Sequence, residues 1–181
     1  MRYSEEHKET VRSKIVEEAS RALRRSGLDG VSIPSLMKRA GLTHGGFYSH
    51  FADRDELVAA AVKFAAHETG AGIFEGSDSL DGALAGYLSP QHVEHPDHGC
   101  VVAALGTDAP RQRAPVRRAF AYAAQGLIRL VQQKLAPKAD PAVPTDAALE
   151  LTSRMVGAIV LARLVNDPQL AKRLLAVARA P

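Results

Sequence analysis

The stretch Ser32–Phe51, SIPSLMKRAGLTHGGFYSHF, constrains the fold more than any other. It holds two short helical patterns joined by the turn AGLT. In the first, Ser32 is placed to cap, Pro34 is tolerated in the first turn, and Ile33, Leu36, Met37 and Ala40 form one apolar stripe ended by Gly41. In the second, Thr43 is placed to cap a helix running through Phe51, with Phe47 and Phe51 four apart on one face. Helices this short are held by packing rather than by their own propensity. The preceding segment HKETVRSKIVEEASRALRRSG supplies the brace. Val11, Ile15, Ala19, Ala22 and Leu23 fall on one side, Arg21, Arg24 and Arg25 sit at the end where the helix dipole favours cations, and Gly27 stops it. The adjacent Gly45 and Gly46 are out of place in a helix, since each costs roughly 1 kcal/mol relative to alanine. Bare backbone at that point implies that something large must lie against it.

The rest of the chain reads as helices too. DRDE gives a reciprocal cap, Asp53 with Glu56, for a helix burying Leu57, Val58, Ala61 and Phe64 or Ala65. Beyond TGAG, Ala-rich helices are expected over about 79–88, 100–109, 115–136, 145–165 and 168–179. Clear interruptions fall at SPQHVEHPDHG and PKADPAVP. No strand alternation persists. With 46% hydrophobic residues, only 5% aromatics and no Trp, the core must be built from Ala, Leu and Val. The expectation is an all-α chain of about nine helices in two domains, 1–52 and 53–181, joined rigidly through the helix over 53–70.

Function classes narrow in the same way. Residues 1–50 hold nine Lys/Arg and six Asp/Glu, and the remainder holds 14 of each, so all the net charge of +3 lies at the helical N-terminal end. His7, His44 and His50 would add to it near a polyanion. A basic end on a neutral body points to nucleic acid. No apolar run is long enough to span a membrane, the N-terminus is not a signal peptide, and a single cysteine excludes an internal disulfide, so a cytoplasmic protein is expected. There is no Gly-rich phosphate loop, nucleophile elbow or convincing acid–base pair, which argues against an enzyme.

Two short helices joined at AGLT and braced by a third form a helix-turn-helix, whose second helix enters the DNA major groove. The string Ser32–Leu57, SIPSLMKRAGLTHGGFYSHFADRDEL, resembles the tetracycline-repressor (TetR) family of bacterial transcription regulators, with Gly41, Gly45, Phe47, Tyr48, His50, Phe51 and Leu57 matching in order and spacing. The resemblance implies that Tyr48, His50 and Arg54 contact phosphates, aided by Ser32 and the Thr43 end of the second helix. It implies that His44, Gly45 and Ser49 face bases, that Pro34 reaches the groove edge, and that Gly46 with Gly45 lets the backbone come close. His44 stands where the family often has Lys or a small polar residue, and Arg54 where it usually has Lys, so the base preference stays open.

Beyond the N-terminal third the resemblance is one of layout: a helical ligand-binding and dimerisation domain, with a double-stranded DNA operator, a small-molecule inducer and a second copy of the chain as partners. Two half-sites require recognition helices about 34–36 Å apart. The last two helices are the expected dimer interface, through Val156, Ile159, Val160, Arg163, Leu170 and Leu174, because DAALELTSRMVGAIVLARLVN is apolar around much of its girth. By helical phase, Cys100, Ala104, Phe120, Ala124, Leu127, Leu151 and Met155 are candidate walls of an inducer pocket. Cys100 opens a helix, where a thiol is activated, so an alternative is a sensor whose modification by an electrophile or oxidant releases DNA; the plain reading is a small buried hydrophobe. HVEHPDHGC carries enough His, Asp and Glu to suggest Zn²⁺ or Cu²⁺, but Pro96 and the loose spacing match no closed site, so no metal or cofactor is assigned.

Overall fold

A computed structural model describes residues 5–180, apart from the side chain of His44. Among these residues there are nine α-helices and no strand. They are α1 (Glu5–Ser26), α2 (Ile33–Arg39), α3 (Arg54–Thr69), α4 (Leu80–Tyr87), α5 (Pro90–Glu94), α6 (Val101–Leu105), α7 (Ala114–Leu135), α8 (Asp146–Leu164) and α9 (Pro168–Arg179). Their starts follow from the sequence. Ser32 accepts from the Ser35 amide, Ser79 from Gly82, Ser89 from His92, Thr145 from Ala148, and Asp167 from Gln169 and Leu170. Such caps each contribute about 1 kcal/mol. The DRDE cap forms in both directions: Asp53 accepts from the Glu56 amide at 2.8 Å, and the Glu56 carboxylate accepts from the Ala52 amide at 2.8 Å. Gly27 and Gly41 end α1 and α2 at φ +80° and +76°, a conformation that costs other residues a steric clash.

Two hydrophobic clusters organise the molecule. The first takes Ile15, Ala19 and Leu23 from α1, Leu36 and Met37 from α2, Phe47 and Phe51, then Leu57, Val58, Ala61, Val62 and Ala65 of α3, and closes on Val101, Leu105, Val116 and Phe120. The second gathers Phe74, Leu84, Tyr87, Cys100, Leu127, Leu151, Met155, Ile159 and Leu175. Helices α3 and α7 are packed together between the two, and α8 pairs with α9. Buried Gln132 pins the loop before α8, donating to Val143 O and accepting from the Thr145 amide at 3.0 Å.

Four local expectations change. The segment after Thr43 is a 3-10 helix, His44–Ser49, and the Thr43 side chain makes no cap bond. With two glycines and six residues there is too little propensity to stabilise α-helical turns. The helix expected over 53–70 does not stop there: α3 runs straight into a π-helical turn, Gly70–Glu75. Gly70 there lies so close to α7 that an added Cβ would meet Leu130 Cδ1 at 3.3 Å. The interruption SPQHVEHPDHG contains α5 and a 3-10 turn, Pro96–His98. Finally, the helix expected over 100–109 ends at Leu105, with a 3-10 turn at Ala109–Arg111.

Candidate functional site

Helix α2, the Gly41 turn and the 3-10 segment form a helix-turn-helix against α1. Phe47 and Phe51 are buried and stacked with ring centroids 5.5 Å apart, and the Arg12 guanidinium covers the outer face of Phe51 at 4.8 Å while pairing with Glu56 at 3.3 Å. This anchoring turns the other side of the segment outward. Tyr48 is 65% exposed, edge-on to Phe47, and Ser32, Pro34, Thr43, Gly45 and Ser49 are exposed with it. Lys38 and Arg39 add positive charge at the exposed end of α2. Gly46 is half-buried, and the Ser49 hydroxyl donates to its carbonyl at 2.6 Å. The His44 side chain lies outside the described residues.

Nothing inside the protein requires the paired glycines. A Cβ at Gly45 would meet nothing within 4 Å, and one at Gly46 would make only ordinary contacts with Thr43 and Met37. Neither residue has a positive φ. So neither packing nor backbone strain asks for glycine here.

His50 is half-buried and its pKa lies below the ordinary 6.5, first because burial disfavours the cation and then because Lys8, Arg12 and His7 repel it. It therefore meets its surroundings as a neutral ring at neutral pH. Arg54 opens α3 and donates one guanidinium N–H to the Leu28 carbonyl, tying the α1–α2 loop to α3. That structural task is additional to the phosphate contact expected of Arg54.

A cavity of about 270 Å³ lies where α3 and its π turn meet α6 and α7. Of the seven wall residues expected, Cys100 and Leu127 line it. Phe120 packs in the first cluster, Ala104 sits against that cluster, Leu151 and Met155 are inside the second, and Ala124 lies on α7 off the wall. Helical phase put the α6 and α7 candidates on helices that do line the cavity and two candidates on α8, which does not, and it could not choose between core and cavity. The walls that were missed include His67, Thr69, Gly70, Tyr122, Gly126 and Arg129. Their signal was present on α7, where Tyr122, Gly126, Arg129 and Gln133 share one stripe. Tyr122 OH and His67 Nε2 are 3.1 Å apart at the mouth.

Beside this cavity lies a buried polar cluster. His92 accepts from the Cys100 amide at Nε2 (2.8 Å) and donates from Nδ1 to the Tyr87 carbonyl (2.6 Å). Both ring nitrogens are thereby used, and the ring is neutral. Burial, opposed by the Tyr87 hydrogen bond and reinforced by Arg163 and Arg24, lowers its pKa to about 4. Arg163, expected at a dimer interface, turns inward and donates to the His92 and Val93 carbonyls. Ile159, expected there too, is fully buried in the second cluster. The exposed large apolar groups on the last two helices are Leu149, Leu161, Leu164, Val177 and Leu170, the last among the expected interface residues, with the expected Val156, Val160 and Leu174 half-buried near them.

Residues 15–61 match the family model of bacterial regulatory proteins, tetR family. A search of curated proteins finds no match. Among solved structures the chain is similar to NemR of E. coli in its reduced form, at 20% identity and a TM-score of 0.72 over 94% of this chain and 93% of that one. A TetR regulator of Chloroflexus aurantiacus matches at 22% identity and 0.72, covering 96% and 94%. A TetR-family regulator of Cytophaga hutchinsonii matches at 17% and 0.73, covering 99% and 95%. The helix-turn-helix thus lies inside the residues that match the tetR-family model of bacterial regulatory proteins, and along its length the chain shares the all-α fold of these regulators.

Proposed function

We propose that the chain is a repressor that holds a palindromic operator as a homodimer and leaves it when a small molecule enters the second domain. Residues 1–52 form the DNA-binding unit and 53–181 the sensing and dimerising unit, and the protein works in the cytoplasm without a catalytic step. Tyr48, His50 and Arg54 meet phosphates, with Ser32 and the Thr43 end of the 3-10 segment; His44, Gly45 and Ser49 face bases, Pro34 the groove edge. The observation that carries this reading is Gly45: an exposed residue, bare for no internal reason, at the start of the segment that the helix-turn-helix presents. The exposed apolar stripe of α8 and α9 supports a dimer in which those helices pair with their copies. Inducer binding at the cavity shifts the population towards a separation of recognition segments that no longer fits DNA.

A second reading is favoured by one feature: Cys100 belongs to the cavity wall, so an electrophile or oxidant entering there would act through the thiol instead of by binding alone. The similarity to a protein crystallised in a named reduced form agrees with it. Replacing Cys100 by Ser separates the two, since a binding inducer still releases DNA from that variant and a thiol reagent does not.

The test of the main reading is selection of bound sequences from a random DNA pool, followed by anisotropy titration. A two-fold-symmetric site with salt-sensitive affinity is expected. Recovery of no preferred sequence would refute it.

A further inference from the structure

We infer that the segment Pro96–Cys100 is a strap that carries the state of the cavity to α1, acting alongside α3 and through Arg24 and Arg25. This rests on the ligand-responsive reading above. The strap's defining element is one peptide unit. The Gly99 carbonyl accepts from Arg24 Nη1 at 2.6 Å, and the amide of the same unit, on Cys100, donates to His92 Nε2 at 2.8 Å. The unit is planar and rigid, so its oxygen and its N–H move together. One side of it is the wall of the cavity, because Cys100 lines that space; the other side is the C-terminal end of α1.

The surrounding contacts remove slack. A Cβ at Gly99 would stand 2.4 Å from His92 Cδ2 and 2.5 Å from Nε2, so only glycine lets the chain pass. The Arg24 side chain has no exposed surface. Besides Gly99 it donates to the Ser20 hydroxyl at 3.1 Å and to the Glu68 carboxylate at 2.5 Å. Glu68 lies between His67 and Thr69, both of which line the cavity. One buried guanidinium therefore binds two walls of the cavity to α1. Arg25 adds a second tie, donating to the carboxylate of Asp97, which is buried in the Pro96–His98 turn. Burial alone would raise the Asp97 carboxyl, yet the Arg25 hydrogen bond holds it below its ordinary value, so the ion pair persists at neutral pH. A buried charge deprived of its partner is costly, so α1 follows the strap rather than releasing it. Close-packed interiors pass such displacements on. Next in line are the Gly27 turn and Leu28, whose carbonyl Arg54 grips at the start of α3.

The cavity can be loaded without an identified inducer. Gly126 forms part of its α7 wall, and a Cβ there would meet only the Arg129 guanidinium, at 3.9 Å. Gly126→Phe fills the cavity from that wall while improving helix propensity. Two readouts apply to the full chain: amide hydrogen exchange of residues 20–27, and anisotropy on the DNA selected above. In the wild-type background, Gly126→Phe should speed exchange at the end of α1 and weaken DNA affinity about tenfold, within the usual range of allosteric coupling. In an Arg24→Met background the same substitution should leave both nearly unchanged. Arg25→Ala with Asp97→Asn, which removes the second tie as a pair, gives an independent version should Arg24→Met lose its helical signal. Equal responses in wild-type and strap-cut backgrounds, or no exchange response in either, would overturn the strap. Absence of any DNA preference would count against the proposed function, while the exchange readout still decides the strap.

Discussion

His92 makes an acid-labile joint in the fold, and its size can be worked out. Its pKa falls from an ordinary 6.5 to about 4 in the folded chain. A group depressed in this way destabilises the native state as pH falls, because the unfolded chain takes up the proton first. The contribution is intact above pH 6.5, declines through the window from 6.5 to 4, and is fully lost below it. The linkage relation gives a loss of about 2 kcal/mol by pH 5 and roughly 3.4 kcal/mol at the acid limit. His50 shifts in the same direction, and carboxylates add their own loss below pH 5, so the comparison must isolate His92. His92→Gln keeps a donor and an acceptor for Tyr87 O and the Cys100 amide but cannot titrate. Urea unfolding of both proteins at pH 7.5 and pH 5.0 should show the wild type losing about 2 kcal/mol more than the variant. Parallel losses in the two proteins would mean that His92 does not sit neutral between its two backbone partners, and the cluster beside the cavity would need another description.

Other outcomes follow from the same geometry. Gly45→Ala should raise thermal stability slightly, by about 0.4–1 kcal/mol, because φ is negative and the space is open, yet weaken operator binding; weaker stability with unchanged affinity would show that the bare backbone serves the fold. Tyr48→Ala combined with Arg54→Ala should lower DNA affinity for all sequences alike and flatten its salt dependence by roughly one unit for each phosphate no longer neutralised, as read by anisotropy. Leu164→Glu, at a side chain 73% exposed in the single chain, should leave helix content intact and shift sedimentation to the monomer; an unchanged dimer would place the interface elsewhere.

Much of this architecture is written locally. Ser32, Asp53 with Glu56, Ser79, Thr145 and Asp167 are caps whose side chains reach amides two to four residues away, so helix starts are legible from short stretches. The recognition segment is legible for a similar reason, since Phe47 and Phe51 fix which side is buried. What local pattern cannot supply is the partner from far along the chain. Arg24 and Arg25 read as ordinary cations at a helix end, but they bind Gly99 and Asp97, more than seventy residues on. Arg163 and Ile159 read as interface residues because α8 is apolar all round, and only tertiary packing tells which sides face inward. The cavity is the extreme case: Gly126 leaves its α7 wall open, and an absent side chain leaves no periodic trace.

The π turn after α3 bears most directly on how the two proposed units would be coupled. The helical path is continuous from Arg54 to Glu75, 22 residues, or about 33 Å at about 1.5 Å per residue. Gly70, against Leu130 of α7, sits on the cavity wall within that path. A tilt of about 5° at the cavity end of a rod this long displaces its other end by about 3 Å, and by about 6 Å between the two subunits of the proposed dimer. Recognition segments must match half-sites about 34–36 Å apart, so a change of that size removes simultaneous engagement and its effective-concentration gain. On the proposed reading, Arg24 supplies a second attachment away from the α3 axis, so that α1 and α3 would follow a displaced cavity wall together.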